Sequence, residues 1–320
     1  MTSVLGLLAA STGCSQTHQT VADHTARRAA VGVFLGDGDL EKRYREFVDL
    51  TGVRPRWLLT FVPWARAGGP PFPANFCRFA RRNNAIPVIT WEPWDPDTGW
   101  YPLLRDIAAG REDAHLREWA TASRHWPDPV LLRFAHEMNG HWYPWCQAKD
   151  ARQTPADYRA AWRRVRRIFH EEGADRVRFV WAPNFEPTHD LEQCYPGDDM
   201  VDIVGIDLYN HPDWPRDPAG MLSPLLTFAE KRRKPAILTE VGCAQEFLPV
   251  NPTEEAATWS VKSRWIERLF SVVAQTPTLQ GVIWFDVQKE ADWRIASSPE
   301  SVASFRNAIL CLDGKEVMSR

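Results

Sequence analysis

Residues 130–142 of the chain read VLLRFAHEMNGHW, and this stretch decides the fold. It begins as a short, almost continuous apolar run and passes directly into His136, Glu137 and Asn139, whose side chains are ionisable or form hydrogen bonds. An apolar run of this kind predicts a β-strand that is buried on both faces, as strands are in parallel sheets covered by helices. Polar residues directly after such a strand predict a functional site at its carboxyl end.

Seven further apolar runs of the same kind flank this stretch, and segments of helical period separate them. The eight predicted strands cover residues 31–35, 57–62, 87–91, 130–135, 177–181, 201–206, 236–239 and 281–285. The predicted helices include residues 40–50, 75–82, 114–123, 155–172, 222–232 and 253–274. Eight strands that alternate with helices predict a (β/α)8 TIM barrel of the α/β class. No repeat, linker or change of composition divides residues 29–320, so we expect one domain there.

The charge balance and the aromatic content narrow the classes of function. The 38 Lys and Arg residues against 41 Asp and Glu residues give a net charge of −3. The chain therefore lacks the excess of positive charge with which proteins bind nucleic acids, and we exclude that partner. The 16 Trp residues stand out. A Trp side chain presents a flat apolar face and one N–H, which suits stacking on a sugar ring.

Residues 1–28 differ in character from the rest of the chain. A short apolar run covers residues 4–10, small and polar residues follow, and Asp23 is the first charged residue. The sequence Thr12-Gly13-Cys14 resembles the lipid-attachment site of bacterial lipoprotein signals. We therefore expect residues 1–28 to be a signal-like segment or tail, and the protein to be secreted or anchored to a bacterial envelope through Cys14. No stretch reaches the roughly 18 apolar residues of a membrane-spanning helix.

The carboxyl ends of the eight predicted strands meet at one mouth of a barrel, so their side chains form the candidate site. Glu137 follows the fourth predicted strand and Glu240 follows the seventh. Because these strands lie three apart around the ring, the two carboxyl groups can face each other across the mouth. Cleavage of a glycosidic bond needs two such groups, one to donate a proton and one to meet the anomeric carbon. After the third strand, Trp91 and Glu92 predict a sugar-binding wall.

Other chemistries fit the sequence less well. A zinc hydrolase of the H-E-x-x-H kind needs two His four residues apart on one helix, whereas His136 and His141 are five apart and follow a strand. No G-x-S-x-G elbow and no phosphate-binding loop follows a strand. We expect neither a metal nor another cofactor. Cys146 and Cys194 follow strands on the same rim, so a disulfide between them is possible.

Residues 132–140, LRFAHEMNG, together with Trp142, the sequence Leu238-Thr239-Glu240 and Trp284, resemble glycoside hydrolase family 26. The resemblance runs from about residue 30 to residue 305. It implies a retaining enzyme of the large (β/α)8 glycosidase clan, with Glu137 as general acid/base and Glu240 as nucleophile. In a retaining enzyme the two carboxyl groups lie about 5–5.5 Å apart.

The resemblance also implies roles for the residues around the two glutamates. Tyr209 is expected to donate its hydroxyl to Glu240, and His136 to orient the acid or contact the sugar beside the cleaved bond. The remaining expected substrate contacts are stacking aromatics and a polar floor, namely Trp142, Trp284, Arg133 and Asn184.

The family implies a polysaccharide substrate, and its members differ in which backbone they cleave. We place endo-β-1,4-mannanase activity first, with endo-β-1,3-1,4-glucanase or β-1,3-xylanase activity as alternatives. The eighth-strand loop, residues 285–294, does not match the pattern of typical mannanases. A function of another class is a non-catalytic barrel that binds polysaccharide. We expect the protein to be a monomer.

Overall fold

The computed structural model describes residues 29–64, 71–186, 190–246 and 254–312. The strands are β1 (Ala30–Phe34), β2 (Trp57–Pro63), β3 (Ile86–Glu92), β4 (Val130–Phe134), β5 (Val177–Trp181), β6 (Ile203–Asn210), β7 (Ala236–Cys243) and β8 (Leu279–Phe285). The helices are α1 (Leu40–Thr51), α2 (Ala74–Arg82), α3 (Leu104–Ala108), α4 (Asp113–His125), α5 (Pro155–Glu171), α6 (Leu191–Cys194), α7 (Pro218–Lys231), α8 (Glu254–Trp259), α9 (Lys262–Gln275) and α10 (Pro299–Leu312). The expected signal-like segment over residues 1–28 lies outside the described residues.

The eight strands form a closed barrel in chain order, and each pairs in parallel with its neighbours. The pairing of β1 with β8, from Ala30 opposite Gly281 to Phe34 opposite Phe285, closes the ring. The predicted single-domain (β/α)8 TIM barrel is therefore confirmed. Because all strands are parallel, their carboxyl ends lie at one mouth of the barrel.

Two predicted strands end too early. Strands β6 and β7 each run four residues beyond their predicted ends at residues 206 and 239. The added residues include Asp207, Tyr209 and Glu240, whose polar side chains made these segments read as loop. They stay in the ladder because their polar groups bond to one another inside the barrel.

The helix predicted over residues 253–274 is two helices, α8 and α9. The amide of Asn210 donates to the carbonyl of Trp259 (2.9 Å) where α8 ends, so a tertiary contact marks the break. Three further helices, α3, α6 and α10, lie outside the predicted segments. Helices α3 and α6 span only five and four residues, too short to show a helical period.

Alternation along each strand divides the core into two layers. One residue set fills the inside of the barrel, namely Trp57, Leu59, Val88, Leu131, Val180, Ile203, Ile237 and Ile283. The residues between them point outward and form the larger layer against the helices. Eight of the 16 Trp residues are less than 2% exposed. In all, 11 of the 16 are buried, so most of the conspicuous tryptophan content is not exposed sugar-binding surface.

Among the described helices, none has the length and apolarity needed to cross a membrane. The described cysteines Cys77, Cys146, Cys194 and Cys243 are buried and free. The disulfide considered between Cys146 and Cys194 is therefore not formed in this structure.

Candidate active site

The backbone at the end of β4 is strained in a way that aims Glu137 into the barrel mouth. Ala135 and Glu137 have φ angles of 44° and 50°, in the left-handed region that residues other than glycine rarely adopt. The Glu137 N–H donates to the carbonyl of Ala182 beyond β5 (2.7 Å), and the Ala135 N–H donates to the carbonyl of Trp91 (3.1 Å). Such strain persists only where the surrounding structure holds it, and it is common at functional sites.

The Glu137 carboxyl is almost fully buried and accepts two hydrogen bonds. Its Oε2 accepts from Trp142 Nε1 (2.6 Å), and its Oε1 accepts from Asn184 Nδ2 (2.7 Å). Burial, and next the nearby charge of Glu240, raise the pKa of Glu137 to about 7, against the lowering effect of the two donors. At neutral pH and below, much of this carboxyl is therefore protonated and able to give a proton away.

Asn184 is held in place by Asn139, a residue that the sequence places after the fourth strand but to which we assigned no role. The amide of Asn139 donates to the Asn184 carbonyl (2.8 Å), and its Oδ1 accepts from the Asn184 N–H (2.9 Å). This two-bond clamp fixes the side chain that donates to Glu137. The position of Asn139 two residues after Glu137 is the sequence feature that could have indicated this supporting role.

Glu240 receives a hydrogen bond on each carboxyl oxygen. The Tyr209 hydroxyl donates to Oε2 (2.5 Å), and Arg133 Nη2 donates to Oε1 (2.8 Å). Burial, and then the Glu240 charge, raise the pKa of Tyr209 well above its usual value, so this phenol stays a neutral donor. The predicted contact between Tyr209 and Glu240 is thus present, and two donors fix the orientation of the carboxylate.

A bulge in β7 turns Glu240 inward. The register of the β6–β7 pair shifts, so that Ile206 lies opposite Leu238 while Asp207 lies opposite Glu240. Thr239 is the extra residue, and its hydroxyl also reaches inside to donate to Asp207 Oδ1 (2.6 Å). Strict alternation would place neighbouring residues on opposite faces, so the bulge is what brings both side chains to the mouth.

Arg133 lies beneath the two carboxylates instead of forming a floor open to sugar. Its side chain is fully buried, and it donates to Asp207 Oδ2 (2.6 Å) and Thr90 Oγ1 (3.0 Å) as well as to Glu240. A direct substrate contact expected for Arg133 is therefore contradicted, because the guanidinium is 0% exposed and covered by its own partners. Its role is to position Glu240 and to balance its charge.

Three groups at the mouth could in principle ligate a metal: the nearest atoms of His136, Asp207 and Glu240 lie within 4.8 Å of one another. The Arg133 guanidinium already donates to both carboxylates. A positive charge in that position disfavours a bound cation, so these residues fit an ion-pair cluster better than a metal centre.

His136 is one of the side chains around the mouth with unused hydrogen-bonding capacity. Its Nε2 lies 3.8 Å from Glu240 Oε1, and neither ring nitrogen has a hydrogen-bond partner among the described residues. Burial, and then the charges of Arg133 and Lys289, lower the pKa of His136 well below its usual value, so the ring is neutral. Because the side chain is 1% exposed and both ring nitrogens are buried, the expected sugar contact of His136 is not open in this structure.

The structure contradicts the expected sugar contacts of Trp91 and Trp284. Both are 0% exposed and point outward into the layer against the helices, because they alternate with inward residues of their strands. Trp91 stacks on Trp119 with ring centroids 4.5 Å apart. Trp284 Nε1 donates to the carbonyl of Trp293 (2.8 Å). Both are core residues.

Two other predicted contacts do reach the mouth. Glu92, the last residue of β3, is 7% exposed. Burial is the main cause that raises the pKa of Glu92 to about 7; a hydrogen bond from Trp94 lowers this pKa and the charge of Glu240 raises it further. Trp142 is 37% exposed, so part of its indole is open to a ligand while its N–H bonds to Glu137.

An aromatic wall on the side of β1, β2 and β8 was not predicted. Its members contact one another in a chain of tilted and edge-to-face rings, namely Phe34, Phe61, Phe285, Tyr209 and Trp293. On the other side, Tyr143 and Trp145 stack with centroids 4.3 Å apart next to His136. The phenylalanines escaped notice because they lie inside the apolar runs, and only their inward positions near the strand ends could have indicated them.

Comparisons with known proteins agree with this site and fold. Residues 114–266 match the family model described as glycosyl hydrolase family 26, a range that contains both Glu137 and Glu240. Endoglucanase H of Acetivibrio thermocellus is 30% identical over 284 residues, which are 87% of this chain and 30% of that protein. Beta-1,3-xylanase TXYA of a Vibrio species is 25% identical over 83% of this chain and 59% of its own length.

This chain thus spans less than two thirds of either relative. Among solved structures, a GH26 beta-mannanase from Bacteroides ovatus shares the fold, with a TM-score of 0.64, 19% identity and 90% of each chain covered. The matched segment holds both carboxyl groups, and the similarity to the first relative extends over most of this chain, so the chain is similar to glycosyl hydrolase family 26 in sequence as well as in fold.

Proposed function

We propose that the protein is a retaining glycoside hydrolase that cleaves β-linked polysaccharide backbones. The observation that carries the proposal is the pair of unlike carboxyl groups at one mouth. Glu137 has a pKa raised to about 7 by burial and by Glu240, whereas Glu240 is held by two hydrogen-bond donors. One group is a proton donor at neutral pH, and the other is an oriented carboxylate.

In the first step Glu240 attacks the anomeric carbon while Glu137 gives its proton to the oxygen of the leaving sugar. The glycosidic C–O bond breaks, and an ester bond forms between the sugar and Glu240. In the second step Glu137 takes a proton from water, and the water oxygen displaces Glu240. Two displacements at one carbon retain its configuration.

The electrostatics of the pair support the change of role of Glu137. The negative charge of Glu240 is one cause of the raised pKa of Glu137. Once Glu240 is esterified, that charge is absent and the pKa of Glu137 falls. The same residue is then an acid in the first step and a base in the second.

We retain endo-action on β-1,4-mannan as the first substrate assignment. A β-glucan is the second candidate, and a specific observation favours it. The relative that is 30% identical over 87% of this chain is named an endoglucanase. A β-1,3-xylan is kept as an alternative because a second relative of similar coverage is named a β-1,3-xylanase.

The test is release of reducing sugar from mannan, glucomannan, lichenan, carboxymethylcellulose and β-1,3-xylan, with the anomer of the first product followed by NMR. We expect the β-anomer to appear first. Glu240→Ala should abolish release from every polymer. Glu137→Ala should spare an aryl glycoside with an acidic phenol far more than a polymer, because that leaving group needs no proton.

An α-anomer as first product would refute retention. Binding of a polymer without release of sugar by the wild-type protein would favour the non-catalytic barrel. Unchanged turnover by folded Glu240→Ala, checked by its melting curve, would refute the assigned nucleophile.

Export and the monomeric state stay proposals. They rest on the character of residues 1–28, with Cys14 as the lipid-attachment residue, and on the single domain. Fractionation of cells that express the full chain, compared with a Cys14→Ser variant, tests the anchor, and light scattering tests the oligomeric state.

A further inference from the structure

Trp214 is an exposed aromatic side chain at the active-site end of the barrel that no role considered so far explains. It is 55% exposed, more than Trp142 at 37%. It lies in the segment that follows β6, five residues after Tyr209, which donates to Glu240. Leaving so much of an indole in water is unfavourable, so an exposed Trp near a site points to a ligand.

One face of the Trp214 ring is already occupied. The Arg216 guanidinium carbon lies 3.4 Å from the ring centroid, and it also lies 4.9 Å from the ring of Phe185. Arg216 forms an ion pair with Glu186. The cation between the two rings fixes the indole, while the exposure of Trp214 shows that much of its remaining surface is open to solvent.

The backbone that carries Trp214 is anchored at both ends. The Trp214 N–H donates to the His211 carbonyl (3.2 Å). The Arg216 N–H donates to Asn210 Oδ1 (2.9 Å), and the Arg216 carbonyl accepts from Trp265 Nε1 (3.0 Å). A ligand that stacks on Trp214 therefore does not have to order this segment, which is the condition for a useful binding surface.

The ion pair also places Trp214 relative to the proton donor. Glu186 is two residues after Asn184, which donates to Glu137, and two residues of chain span at most about 7 Å. Trp214 is thus tied to the segment that flanks the acid. Because the acid delivers its proton to the leaving sugar, a platform on this side meets the leaving part of the substrate.

We propose that Trp214, supported by Arg216 and Glu186, is a stacking platform for a sugar ring on the leaving-group side, at least one ring beyond the sugar next to the cleaved bond. The ligand is a pyranose unit of the backbone, which presents a face of C–H groups to the indole and directs its hydroxyls to solvent. The proposal rests on the proposed function, because it assumes that this mouth binds a polysaccharide.

Binding is measured first, in a Glu240→Gln background that prevents turnover, with mannohexaose and cellohexaose as probes in calorimetry. We expect Trp214→Ala to weaken the better-bound probe about tenfold, as truncation of an aromatic anchor does. Trp214→Phe should recover most of the affinity, and Arg216→Ala should lose part of it. Leu310→Ala, which alters another exposed apolar side chain far along the chain on α10, is the matched control and should change nothing.

The cleavage pattern is measured next, in the active enzyme, with hexasaccharide labelled at its reducing end. With fewer sugars held on the leaving side, Trp214→Ala should move the preferred cleavage point toward the reducing end. Unchanged affinity, or a shift toward the other end, would overturn the platform while the proposed hydrolase stands. Failure of the Glu240→Gln parent to bind either probe would overturn the platform, whereas the hydrolase is decided separately by release of sugar from the five polymers.

Discussion

The alkaline limb of the pH profile is where the structure makes its sharpest quantitative prediction. Glu137 must be protonated to act as an acid, and its pKa is raised to about 7 by burial and the charge of Glu240. Since kcat/KM reports groups of the free enzyme, it should fall as the pH rises through about 7. Trp142→Phe removes the indole N–H that stabilises the ionised form, so the limb should move to higher pH.

The size of the movement follows from one hydrogen bond. Trp142 Nε1 lies 2.6 Å from Glu137 Oε2. A hydrogen bond to a charged group contributes about 1.5–3 kcal/mol, and one pKa unit corresponds to about 1.4 kcal/mol. This gives about 1–2 units. Because Trp142 is 37% exposed, water replaces part of the lost bond, and we expect the limb to move up by about one unit.

The assay is kcat/KM against pH from 5 to about 9.5 on one soluble substrate, for wild type, Trp142→Phe and the control Leu310→Ala. Glu92 has a pKa raised to about the same value, so Glu92→Gln is a necessary second control. Its limb should stay near that of the wild type. Two results would refute the assignment of Glu137 as the titrating acid. One is an alkaline limb that stays in place or moves to lower pH in Trp142→Phe, and the other is a limb that disappears in Glu92→Gln.

Three other outcomes are expected. Tyr209→Phe removes the donor 2.5 Å from Glu240 and should lower kcat/KM about 10–100-fold with little change in Tm; an effect below twofold would contradict the positioning role. Trp91→Ala leaves a cavity beside Trp119 and should lower the free energy of unfolding by about 3–5 kcal/mol in urea, whereas a large rise in KM with normal stability would restore a sugar contact. Glu137→Gln should raise the free energy of unfolding by about 3 kcal/mol at pH 8, because the folded protein then no longer buries a carboxylate at this position, where burial raises the pKa from 4.5 to about 7. That gain should vanish below pH 4.5, where both states hold the proton, and its persistence there would argue against the raised pKa.

Sequence could predict the features that depend on local pattern. Short apolar runs between helical segments specify strands that need cover on both faces, and eight of them close into a barrel. The position of Glu137 and Glu240 after two such runs then places both at the mouth, because all parallel strands end there. The contact of Tyr209 with Glu240 was expected from the resemblance to a known family and not from the pattern itself.

The sequence pattern did not settle which face of the sheet a side chain near a strand end points to. Trp91 and Glu92 are neighbours at the end of β3, yet the first packs against helices and the second lies in the mouth. A shift of one residue moves a side chain to the other face of the sheet. The predicted ends of β6 and β7 differed from the observed ends by four residues. Glu240 itself reaches the mouth because of the bulge at Thr239, and no pattern in the sequence predicts that bulge.

The amino-acid sequence by itself therefore determined the barrel and the place of Glu137 and Glu240, the two residues that we propose react, since both follow from hydrophobic period and from the shared end of parallel strands. Tertiary structure decided the electrostatics: which donors hold each carboxyl, how deeply Glu137 is buried, and that Arg133 pairs with Asp207 below Glu240. Those contacts join residues far apart in the chain. Their strength depends on distances of a few tenths of an ångström, and only the folded chain fixes such distances.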